Sequence, residues 1–150
     1  MDFLSKYKNN LLTLEDQEEA LTSSYWSYIF AKANIPGSNF KALQAKACEE
    51  PGYAFLFAEN VPGVDIKYCQ KHACKNTAHA YWFALDIPGA DIKYCQEYAC
   101  QSHYYAYMFA LHIPKSDKEY CFKHAYPEER FGPDRWKSEY NKFIMKKACE

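Results

Sequence analysis

The chain of 150 residues carries 18 Lys and Arg against 19 Asp and Glu, a formal net charge of -1, and 49% of its positions are apolar and 18% aromatic. That is one domain's worth of chain, rich enough in apolar surface for a continuous core, and it lacks the strongly basic balance by which most nucleic-acid binders are recognised. No run is apolar enough to cross a bilayer, and residues 1–10 lack the apolar core of a secretory leader, so the seven cysteines read as free thiols of a reducing, cytoplasmic compartment.

In the amino-terminal segment Phe3, Leu4 and Tyr7 fall at helical spacing until Asn9 and Asn10 interrupt them. A better helix is expected from Thr13 as its N-cap, with Glu15, Asp16, Glu18 and Glu19 near its positive end. Residues 1–24 therefore predict a polar unit that caps the array behind it, and an acidic docking surface is the alternative use of the same residues.

From Tyr25 one sentence is written four times. FLFAENVPGVDIKYCQKH (Phe55 to His72) returns as YWFALDIPGADIKYCQEY (Tyr81 to Tyr98) and as YMFALHIPKSDKEYCFKH (Tyr107 to His124), after a worn copy, YIFAKANIPGSNFKALQAK, at 28–46. The turn prolines Pro36, Pro62, Pro88 and Pro114 are 26 residues apart. A fixed period of that size marks stacked supersecondary units. The spacing predicts an all-α chain, a right-handed α-solenoid of about four 26-residue helix-turn-helix repeats (25–126) between capping segments at 1–24 and 127–150, all in a single domain.

Within each repeat the first helix shows one stripe of small and apolar residues at i, i+3, i+4 and i+7: Ala54, Phe57, Ala58 and Val61; Ala80, Phe83, Ala84 and Ile87; Ala106, Phe109, Ala110 and Ile113. Proline ends the helix, because its ring disfavours helical geometry in the residue before it, and glycine follows at 37, 63 and 89. The second helix opens on Asn39, Asp65, Asp91 or Asp117, each expected to cap the first-turn amides rather than to serve as a catalytic acid. Its inward positions are expected to be Phe40, Leu43 and Ala47; Ile66, Cys69 and Ala73; Ile92, Cys95 and Ala99; and Lys118, Cys121 and Ala125, the lysine marking a less closed end. A last amphipathic helix over Asp134–Lys147 offers Trp136, Tyr140, Phe143 and Ile144 to the fourth repeat and Lys137, Lys142, Lys146 and Lys147 to solvent.

Cys69, Cys95 and Cys121 share one repeat position and Cys48, Cys74 and Cys100 another, five residues further on. Five residues turn a helix by about 140°, and equivalent positions of neighbouring repeats stand roughly 8–10 Å apart, so buried hydrophobe is the leading reading and no disulfide is expected. A metal site would have to recruit His72, His79, His103 or His124, with Cys100 and His103 at the best spacing. The ladder Tyr68, Tyr94 and Tyr120, beside Lys67, Lys93 and Glu119 and followed by His72, Tyr98 and His124, is the candidate protein-binding face. A second row, Tyr28, Phe55, Tyr81 and Tyr107 with Ile29, Leu56, Trp82 and Met108, reads as core between repeats.

The phrases AYWFALDIPGADIKYCQ and AYMFALHIPKSDKEYC resemble the short two-helix tandem repeats of uncharacterised bacterial and bacteriophage proteins, over roughly Tyr25 to Tyr126. The resemblance implies a solenoid similar in shape to tetratricopeptide and HEAT arrays, in a bacterial or phage-infected cytoplasm, and assigns no activity or residue roles; Lys115 and Lys118 depart from its pattern. Three functions from different classes compete. The first is a non-enzymatic protein-binding module without cofactor, monomeric or homodimeric, of the kind a phage uses to inhibit a host or defence protein. The second is single-stranded nucleic-acid binding through the Tyr/Lys ladder, and the third a Cys/His metal protein. Head-to-tail self-association of acidic and basic ends is a further expectation of the charge pattern.

Overall fold

The computed structural model describes residues 1–150 and is all-helical, with twelve α-helices and no strand. The chain divides into two compact units, Met1–Lys75 and Asn76–Glu150. The first holds α1 (Phe3–Lys8), a 3-10 turn (Leu14–Asp16), α2 (Gln17–Ala20), and the hairpins α3 (Ser24–Ala33) with α4 (Phe40–Ala47) and α5 (Pro51–Asn60) with α6 (Ile66–Ala73). The second holds the hairpins α7 (Thr77–Asp86) with α8 (Ile92–Ala99) and α9 (His103–His112) with α10 (Lys118–Ala125), then α11 (Glu128–Phe131) and α12 (Arg135–Ala148).

Each hairpin packs its two helices together, and inside each unit one first helix lies on the other, α3 on α5 and α7 on α9. The stripe residues of these helices are buried, apart from half-buried Ala84. Phe30, Phe57, Phe83 and Phe109 are fully buried, as are Ala54, Ala80 and Ala106, whose small side chains let neighbouring helices approach closely. Second helices bury Leu43, Cys69, Cys95 and Cys121 completely, whereas Phe40, Ile66, Ile92 and Lys118 are only half-buried. The lysine therefore does not open a core. Its Nζ donates to Ile113 O at 2.7 Å and Ser116 Oγ at 2.6 Å, and burial pulls its ammonium below the usual lysine range.

The first repeat contains one residue more than the others between its phenylalanine and its proline. Asn34 absorbs it at the end of α3 in the left-handed conformation, φ 55°, which asparagine tolerates better than most residues. Later first helices instead end on extended Val61, Ile87 and Ile113, directly before the exposed turn prolines. In the third turn Gly89 has φ 84°, a conformation costly for any side chain; the fourth turn places Lys115 there without a positive φ.

The amino-terminal segment is less helical than the acidic run after Thr13 suggests: only the 3-10 turn and the single turn of α2 form. Asp16 is buried here and accepts from Lys6 Nζ at 2.6 Å, from Thr13 N at 2.9 Å and from Thr13 Oγ1 at 3.3 Å. The Lys6 bond above all holds its carboxyl below the usual carboxylate range, and Lys6 is pushed up in return. A depressed carboxylate stabilises the fold above its ordinary pKa and loses that contribution as pH falls through the folded value. Asp16→Asn is therefore expected to lower the neutral-pH melting temperature and to flatten the acid limb below about pH 4, as thermal melts across pH 2–7 would record.

At the other end Phe122 stands where Gln44, Gln70 and Gln96 stand in earlier copies. It is buried under Tyr140 and Phe143 of α12, with ring centroids 5.6 and 5.5 Å away. Ile144 does not join that face and is exposed, with Met145 beside it.

Candidate interaction surfaces

The second helices carry the predicted ladder. Asp65, Asp91 and Asp117 each cap their helix, the carboxylate accepting from the amide of Tyr68, Tyr94 and Tyr120 at 3.1, 3.1 and 3.0 Å. The cap fixes where the tyrosine starts, and four residues later each helix sets a second ring against it. Tyr68 and His72 lie 4.7 Å apart between centroids, Tyr94 and Tyr98 5.0 Å, Tyr120 and His124 4.2 Å. All three tyrosines are half-buried, and burial raises the phenols of Tyr68 and Tyr120. His72 and Tyr98 are half-buried too, while Lys67, Lys93 and His124 are exposed. Desolvation, then Lys75 and Lys71, lowers His72, which favours its uncharged form.

Lys93, Gln96, Glu97, Lys115, Asp117 and Tyr120 border one hollow of about 300 Å³. It brings Lys93 together with Tyr120 as the ladder reading requires, yet adds two carboxylates that the reading did not include.

The first-helix row does not behave as a row. Tyr28, Ile29 and Tyr81 are buried, Phe55 and Leu56 half-buried, but Trp82 and Tyr107 are exposed. The buried hydroxyls find partners: Tyr28 Oη accepts from Asn60 Nδ2 at 3.1 Å, and Tyr81 Oη lies 2.9 Å from His112 Nδ1. Reading the whole row as core was wrong for the second unit. There α7 turns Trp82 and Leu85 outward, 42% and 43% exposed, and α9 turns out Tyr104, 61% exposed, with half-buried Met108 and Leu111 on the same side. In the first unit the corresponding positions Lys32 and Glu59 are charged. The signal was present in the sequence: Leu85 and Leu111 stand where those charges stand.

This apolar side leads into a cleft of about 230 Å³ between α9 and α12, floored by Tyr107, Leu111, Phe122 and Phe143 and edged by Glu139, Lys142 and Lys146. Glu139 is engaged by Arg135 at 3.0 Å and by Lys142 at 3.4 Å. No ion pair accompanies Lys146 at the rim.

No three His, Cys, Asp or Glu side chains gather as a metal would need. Each member of the pair with the best spacing has another partner: His103 Nδ1 lies 3.0 Å from His124 O, and Cys100 donates to Cys121 at 3.7 Å. Pro62, Pro88 and Pro114 are exposed turn residues. No family model, curated protein or solved structure matches the chain.

Proposed function

We propose that the chain is a protein-binding helical-repeat module without catalytic activity, its hairpins forming a right-handed solenoid with capped ends. The observation that carries the binding reading is the apolar side of α7 and α9, because Trp82, Leu85 and Tyr104 are exposed together and Leu85 stands where the first unit has the charged Lys32 and Glu59. Exposed apolar area of this kind, with Trp and Tyr as its largest members, is what interfaces bury at their centres. Lys142 and Lys146 at the rim of the adjoining cleft favour a partner segment that presents an apolar side chain followed by carboxylates. The resemblance to phage-borne repeats makes inhibition of a host or defence protein the fitting biological setting.

The test is affinity purification of tagged protein from its own host, with and without nuclease, beside the variants Trp82→Asp/Tyr104→Asp and Lys67→Glu/Lys93→Glu. One protein partner that survives nuclease, and is lost at least roughly tenfold with the Trp82/Tyr104 variant at unchanged melting temperature, is the expected result. Loss with the lysine variant alone would move the interface to the second helices.

Single-strand nucleic-acid binding is the second reading, favoured by the approach of Lys93 and Lys115 to Tyr120 around one hollow. Glu97 and Asp117 on the same hollow oppose phosphate there. That reading predicts affinity falling steeply with salt.

A further inference from the structure

Six of the cysteines occupy two repeat positions and are buried. Two pairs of thiols from different positions, 21 residues apart, meet. Cys48, the C-cap of α4, holds its sulfur 3.6 Å from that of Cys69 in α6. Cys100, the C-cap of α8, holds its sulfur 3.7 Å from that of Cys121 in α10. All four side chains are 0–3% exposed. The same contact is thus built once in each unit, from the same two steps of the repeat.

We propose that Cys48–Cys69 and Cys100–Cys121 are oxidation sites, each closing to a disulfide with hydrogen peroxide as the oxidant. One thiolate attacks a peroxide oxygen, the O–O bond breaks, and the departing hydroxide takes up the proton that the thiol released, giving a sulfenic acid and water. The neighbouring sulfur then attacks the sulfenyl sulfur, hydroxide leaves, and the second thiol proton converts it to water. Two S–H bonds and one O–O bond are broken, one S–S bond is formed, and two waters are released per pair.

The geometry suits this end product. The sulfurs need to close by roughly 1.5 Å to reach bonding distance. Disulfide formation starts and ends with neutral groups, whereas a soft monovalent metal ion held by two thiolates would leave net negative charge in an apolar interior. Peroxide is close to water in size, so it needs less opening than a bulky disulfide would. The first step needs a thiolate. Hydrogen bonding between the thiols, and burial, push Cys69 and Cys100 far above the usual thiol range, so closure in the folded chain is slow and answers to sustained rather than brief oxidant. Once formed, each bond ties the end of one second helix to the middle of another, closing a 21-residue span.

The experiment uses full-length protein carrying Cys149→Ser, which removes the exposed thiol. It is incubated with hydrogen peroxide under native conditions, alkylated, digested without reduction and mapped by mass spectrometry, with urea unfolding followed in parallel. Peptides joining Cys48 to Cys69 and Cys100 to Cys121, together with a urea midpoint that rises and returns on reduction, are the expected result. Cys121→Ala is expected to abolish only the second linkage. The proposal is overturned if the four thiols remain fully alkylatable at every exposure that oxidises free cysteine, if they run on to sulfinic acid without linkage, or if they link to other cysteines instead. The linked peptides are read on the native cysteines, so a variant that fails to fold leaves the test intact.

Discussion

Phe109→Ala is expected to destabilise the protein by about 3–5 kcal/mol. The ring is fully buried between α7, α8 and α10, with Tyr81 6.5 Å away edge-on. On its own helix the adjacent stripe positions are the alanines Ala106 and Ala110, with buried Ile113 one turn on. Alanine has no rotamer with which to fill the space, so the loss combines the transfer free energy of the ring with a void that is only partly refilled. Urea unfolding followed by circular dichroism measures it, with Ile144→Ala as the control expected within about 0.5 kcal/mol of wild type, since that side chain is exposed. A loss below about 1 kcal/mol for Phe109→Ala would show that the first helices do not pack through their phenylalanine stripe.

How much of this was legible depended on whether a contact obeys the period. The helix stripes, the turns at proline and the aspartate caps are local, and every repeat restates them, so residues such as Phe57 and Asp91 could be placed from spacing alone. Contacts between successive hairpins do not follow the period. They join non-equivalent positions whose offset depends on how one hairpin sits on the next. The thiol pairs show this: comparing cysteines at offsets of 5 and 26 gave no contact, while the pairs that form lie at 21, the difference of the two. Trp82 and Tyr107 failed for another reason, since a helix apolar nearly all round does not announce which side its neighbours leave uncovered. Ile144 satisfied helical spacing, but α12 rests on α10 through Tyr140 and Phe143, with half-buried Trp136 under Lys123, and turns Ile144 to solvent.

The buried glutamines belong to the same class of missed contacts and support the second large prediction. Gln44 Oε1 accepts from the Asp65 amide at 2.9 Å, and Gln96 Oε1 from the Asp117 amide at 2.7 Å. Each glutamine therefore grips the residue that caps the second helix of the next hairpin, just where the turn delivers it. At the start of the array, Gln17 does the same for the Asn39 amide at 2.5 Å, although α2 is barely one turn long. Phe122 occupies the glutamine position where the array ends, and there is no following turn to hold. Gln96→Leu keeps a side chain of similar bulk and deletes the acceptor, leaving the Asp117 amide partly buried without its partner. The expected cost is about 1–3 kcal/mol, greater than removal of a neutral surface hydrogen bond. Hydrogen exchange separates this role from packing: the Asp117 amide should lose protection by roughly tenfold or more beyond what the global loss explains, while Asp65 in the other unit keeps its own. Gln44→Leu should give the mirror result. Equal loss of protection at both amides in both variants would mean that the glutamines act as bulk rather than as clamps, and the hairpins would then owe their register to the phenylalanine stripe alone.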